Sequence, residues 1–99
     1  MPIFHRYYVY ILECSDESFY IGVTNNVELR LRQHQQGINE GCYTFDNRPV
    51  SLRWTEEFQY IDKAIVFEKK LKGWSRAKKQ ALINGEFEKL PELSKKKFD

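Results

Sequence analysis

Two short apolar runs separated by a polar turn dominate the first quarter of the chain. Residues 7–12 (YYVYIL) and 19–24 (FYIGVT) are crowded with aromatic and β-branched side chains, and Ser15, Asp16, Glu17 and Ser18 between them supply turn chemistry. The pattern predicts a β-hairpin. On neighbouring antiparallel strands, opposite and diagonal residues stay within reach of long side chains, so Tyr10 and Tyr20 can meet if the register puts them on one face. Gly22 removes side-chain bulk from the second strand and lets a ligand or another backbone approach it closely.

Beyond the hairpin, Thr24, Asn25 and Asn26 offer N-caps and Gly37 a stop, which predicts a helix over residues 27–36. At about 100° per residue, Val27, Arg30, Leu31 and His34 share one strip of it, with Arg30 and His34 one turn apart. Residues 37–49 collect Gly, Asn, Asp and Pro, and form a loop expected to wrap part of a site. Val50, Leu52 and Trp54 then alternate with Ser51, Arg53 and Thr55, which predicts a third strand, buried on one face and ending near Phe58.

Two helices are expected after it. Asp62 is the expected cap of one that runs to Lys72 and stops at Gly73, and Ser75 of another over residues 76–84, closed by Gly85. On the first of these, Ile61, Ala64, Ile65 and Leu71 define an apolar stripe, and Glu68 projects inside it. A carboxylate that faces a core is costly unless it is paired, protonated or bound to a metal. An ion pair with Lys72, one turn on, is the ordinary account of that position. Residues 86–93 mix charged and apolar side chains, and 94–99 form a lysine-rich end expected to fray.

Composition narrows the class. Ninety-nine residues with a hydrophobic fraction of 41% suit one domain with one small core. No apolar run approaches the roughly 18–20 residues of a membrane span, and the first eight residues lack the pattern of a signal peptide, so a soluble, cytoplasmic protein is expected. Cys14 and Cys42 have no zinc or redox spacing and read as two reduced thiols. The net charge of +2 hides an asymmetry: residues 1–60 carry five Lys/Arg against eight Asp/Glu, whereas residues 61–99 carry eleven against six. Lys69, Lys70, Lys72, Arg76, Lys78 and Lys79 concentrate that excess on two successive helices, where a nucleic-acid backbone would be attracted.

The string Tyr8-Val9-Tyr10, followed after nine residues by Tyr20-Ile21-Gly22, resembles the paired signature of the GIY-YIG nuclease superfamily, with Tyr8 where that family often has glycine. In that superfamily the tyrosines are followed by an arginine, often a histidine one turn later, and a glutamate on the next long helix. Arg30, His34 and Glu68 stand at those places. The resemblance spans residues 7–84. It implies an α+β fold, a small three-stranded antiparallel sheet flanked by helices in the order β-β-α-β-α-α.

It also implies a divalent-metal-dependent endonuclease that hydrolyses phosphodiester bonds in DNA. Glu68 would be the protein ligand of Mg²⁺ or Mn²⁺, Tyr10 the base, Tyr20 a group that positions phosphate or water, and Arg30 a clamp on the phosphoryl oxygens. His34 would share or replace the base role of Tyr10. Many members carry an asparagine or similar residue on the final helix, where Gln80 and Asn84 are the nearest equivalents here. Two other classes fit the same features: a nucleic-acid-binding module without turnover, and a protein-interaction scaffold. The inward carboxylate beside a tyrosine pair favours the enzyme.

Overall fold

A computed structural model describes residues 6–37 and 43–86. Cys42 and the tail beyond residue 86, for which the sequence raised expectations, lie outside the described residues. Strands β1 (Tyr7–Glu13) and β2 (Phe19–Thr24) form the hairpin, followed by α1 (Val27–Gln36), a 3-10 turn (Tyr43–Asn47), β3 (Ser51–Phe58), α2 (Ile61–Lys72) and α3 (Arg76–Ile83). The three strands make one antiparallel sheet in the order β2-β1-β3, the α+β architecture that the sequence implied.

Local chemistry sets most of the boundaries. Asn26 accepts a hydrogen bond from the Leu29 amide at 3.0 Å and starts α1, and Gly37 ends it in the left-handed region at φ 67°. Ser75 likewise accepts from the Lys78 amide at 3.2 Å and starts α3. The expected Asp62 cap is corrected: α2 begins at Ile61 behind Tyr60, without a side-chain cap, and Asp62 lies in its first turn, where a carboxylate suits the helix dipole.

The period of two along β1 divides the molecule. Val9 and Ile11, with Ile21 from β2, point to one face and close a core with Ala64 and Leu71 of α2 and Leu82 of α3. On that core Phe67 packs as a hub for the rings of Trp54, Phe58 and Trp74, with centroids 5.5–6.4 Å from its own. Tyr10 and Leu12 point to the other face and meet Cys14, Val50, Tyr20 and the α1 residue Leu31.

Two expectations about faces are revised. The apolar alternation of the third strand does not stay on one side, because the β1–β3 register shifts between Ile11 and Leu12. Trp54 pairs with Ile11, whereas Leu52 pairs with Leu12, its neighbour on the opposite face. The stripe on α2 is turned toward Phe67: Ala64 and Leu71 are buried, while Ile61 and Ile65 are exposed at 41% and 39%.

Candidate active site

The site lies between the tyrosine face of the hairpin and α1. Antiparallel pairing puts Tyr10 opposite Gly22 and Leu12 opposite Tyr20, so both tyrosines project to the same side. Their ring centroids are 6.4 Å apart. Gly22 is required by this packing, since a Cβ there would lie 2.6 Å from Cζ of Tyr10. The space that Gly22 leaves open is filled by the Tyr10 phenol.

Helix α1 presents His34 to both rings. The Tyr10 hydroxyl lies 3.1 Å from Nε2 of His34, and the Tyr20 ring meets the imidazole edge-on at a centroid distance of 5.0 Å. The other ring nitrogen, Nδ1, lies 2.7 Å from Oγ1 of Thr44, a fully buried residue of the 3-10 turn. Burial lowers the pKa of His34 from its ordinary value of 6.5, and the positive charge of Arg30 lowers it further. The imidazole is thus neutral at neutral pH, and Arg30, half-buried one turn earlier on α1, is near enough to act on it.

Tyr10, Tyr20 and His34, grouped by the resemblance, are therefore brought into contact, with Arg30 one turn from His34 on α1. The two phenols differ in exposure. Tyr10 is 1% exposed, closed in by Gly22 and His34, so its phenol does not meet solvent; Tyr20 is the partly exposed member of the pair. Thr44 was missed, because a threonine inside an irregular loop carries no periodic signal that ties it to a helix ten residues earlier.

Glu68, expected beside the tyrosine pair, sits on α2, the helix that packs through Ala64 and Leu71 on the opposite face of the sheet, with its side chain 17% exposed and Lys72 as its ion-pair partner at 3.4 Å. Among the described residues no three His, Cys, Asp or Glu side chains converge in a metal-binding group, so a ligand-rich cage of the zinc or calcium type has no donors there. A single carboxylate does fit Mg²⁺, which keeps several waters and is held by one or two carboxylates.

The basic cluster divides into distinct groups. Lys69 and Lys70 are exposed on α2, and Lys79 is half-buried on α3. Lys72 is exposed but engaged with Glu68. Arg76 is exposed, yet it donates to the Glu17 carbonyl of the hairpin turn and lies 4.5 Å over the Phe19 ring. Lys78 is corrected: it is buried, 7% exposed, with its ammonium 4.0 Å over the Trp74 ring, and does not present a charge to an external phosphate.

The family-model description "GIY-YIG catalytic domain" matches residues 6–81, and the chain belongs to that family. A UPF0213 protein of Natronomonas pharaonis is 44% identical over 81 residues, which cover 81% of this chain and 93% of that relative. A UPF0213 protein of Syntrophus aciditrophicus is 43% identical over 76 residues, 77% of this chain and 87% of that one. The solution NMR structure of a UPF0213 protein from Bacillus halodurans, 38% identical, matches with a TM-score of 0.52 over 80% of this chain and 83% of its own. Among the described residues no helix is long and apolar enough to cross a membrane.

Proposed function

We propose that this chain is a metal-dependent DNA endonuclease domain that hydrolyses phosphodiester bonds. The observation that supports it most is the convergence of two phenols and an imidazole on one face of a three-stranded sheet, with Arg30 one turn from that imidazole on α1. Hydrolysis needs a group that takes a proton from the attacking water and a cation that steadies the phosphoryl oxygens.

Tyr20 is the partly exposed phenol of the pair, and it takes the base role. A phenol has a reference pKa of about 10, so it needs positive potential nearby to act close to neutrality. Arg30 supplies that potential and clamps a phosphoryl oxygen. Tyr10 and His34 stand behind Tyr20 and hold its ring in place from the sheet and from α1. Glu68 would hold Mg²⁺ or Mn²⁺, and the bound ion would stabilise charge on the leaving oxygen. Lys69, Lys70 and Lys79 would lie along the phosphate backbone, positioning it without reading sequence. A DNA substrate also suits the cytoplasmic location expected from the sequence.

The test is a plasmid-nicking assay with and without Mg²⁺ or Mn²⁺, beside Glu68→Gln. Nicking that depends on the ion and disappears in the variant supports the proposal. Unchanged nicking in Glu68→Gln would return that residue to a structural pairing with Lys72. A second reading, a DNA-binding module without turnover, draws on that same ion pair. Salt-sensitive DNA binding with no nicking under either ion would favour it.

A further inference from the structure

We propose that Thr44 is a positioning residue that holds His34 as the Nδ1-protonated tautomer, leaving Nε2 as the acceptor for the Tyr10 phenol. The inference rests on the nuclease reading for its catalytic consequence, but its geometry is independent of that reading.

A neutral imidazole has one donor nitrogen and one acceptor nitrogen, so its two partners must take opposite parts. Two hydroxyls stand at the ring nitrogens of His34, Thr44 Oγ1 at 2.7 Å from Nδ1 and Tyr10 at 3.1 Å from Nε2. Each hydroxyl can donate or accept, and the difference between them decides the direction. A phenol is far more acidic than an aliphatic alcohol, which makes it the better donor and the poorer acceptor. Tyr10 therefore donates to Nε2, and Nδ1–H donates to Thr44.

Both hydroxyls are shut away from solvent. Thr44 is 1% exposed and Tyr10 is 1% exposed, so bulk water does not compete at either hydroxyl. Threonine is β-branched and stiff at χ1, which keeps Oγ1 at one position in the 3-10 turn. The imidazole is consequently held between sheet and turn in one orientation, with its edge against the Tyr20 ring. If the tautomer reversed, Nε2–H would point at the Tyr10 oxygen, and the phenol would lose the acceptor that orients its hydroxyl.

The experiment uses the full chain carrying His5→Gln, which leaves His34 as its one histidine, labelled with ¹⁵N in the imidazole. The ¹⁵N shifts distinguish a protonated from a bare ring nitrogen, and plasmid nicking with Mn²⁺ is measured in parallel. The expected result is a protonated Nδ1 and a bare Nε2 at neutral pH. Thr44→Val should move the population toward the Nε2-protonated form that free histidine prefers, and lower the nicking rate by about 10–100-fold, the span seen when the groups that orient metal-bound histidines are removed. Thr44→Ser should restore both, which separates the hydroxyl from the packing of residue 44. A bare Nδ1 in the parent, or an unchanged tautomer in Thr44→Val while Thr44→Ser is folded, would overturn the proposal. The expected tautomer shifts without nicking in any variant would sustain the role of Thr44 and defeat the nuclease reading instead.

Discussion

The two faces of the hairpin are built from alternate residues of the same strands and serve opposite ends. Behind the sheet, Val9, Ile11 and Ile21 meet Ala64, Leu71 and Leu82, an apolar contact whose yield is stability. In front, Tyr10 and Tyr20 meet His34, and polar atoms are buried there in hydrogen-bonded sets. A two-residue period thus separates a buried polar cluster from an apolar core within a strand of seven residues. Mutations on the two faces should therefore fail in different assays.

The largest effect is expected in front. Tyr20→Phe should lower turnover by about 10²–10⁴-fold, the usual span when an acid–base group is removed, while the denaturation midpoint stays near that of the parent. Equal loss of stability and activity would mean that the phenol is a packing group. Behind the sheet, Ile11→Ala should cost about 2–5 kcal/mol in denaturant unfolding and leave the rate per folded molecule unchanged. Gly22→Ala sits across the division: its methyl group would push on the Tyr10 ring, for an expected cost of about 1–3 kcal/mol, and should weaken the Tyr10–His34 hydrogen bond as read by the imidazole NMR shifts.

Acid should distinguish the faces more gently. Because burial and Arg30 lower the pKa of His34, the unfolded chain takes up a proton at His34 before the folded one does. The sign follows: the His34 contribution to stability is fully present above the unfolded value of 6.5 and is lost as pH falls through the lower folded value. Unfolding midpoints measured down that range should fall less in His34→Gln than in the parent, and parallel curves would refute the assignment. The smallest effect belongs to neither face. Lys69→Ala with Lys70→Ala should reduce the slope of log affinity against log salt by about 0.9 for each phosphate that the variant no longer neutralises, equally on unrelated DNA sequences. A slope equal to that of the parent would place the DNA backbone away from α2.

Much of this was legible because it is local. Asn26, Gly37, Gly73 and Ser75 mark helix ends through groups within a few residues of themselves, and the hairpin is set by two apolar runs and their turn. The grouping of Tyr10, Tyr20, Arg30 and His34 was legible through the resemblance to the GIY-YIG family, which ties the two tyrosines of the hairpin to the arginine and histidine of the next helix. What escaped depends on the packing of distant segments against one another. A register shift at β3 leaves no trace in an alternating pattern, so Leu52 and Trp54 read as sharing a face. Periodicity locates a helical stripe to within a residue or so, and Ile61 and Ile65 were placed inside a core that takes Phe67 instead. Lys78 reads as a surface charge until the Trp74 ring is found beneath its ammonium. The loop held Thr44, whose meaning depends on where His34 points.

Next to His34 in the chain, Gln35 uses its side-chain amide as a neighbouring strand would use its backbone. Its carbonyl accepts from the Val50 amide at 3.0 Å, and its NH₂ donates to the Val50 carbonyl. One helical residue thereby supplies a single rung of sheet ladder at the residue that leads into β3. The rung works as an index pin: α1 cannot slide along its axis or roll over the sheet without breaking two bonds to main chain. Consecutive residues of one helix thus divide a task between them, Gln35 gauging the helix against the sheet and His34 delivering the imidazole to a distance already set.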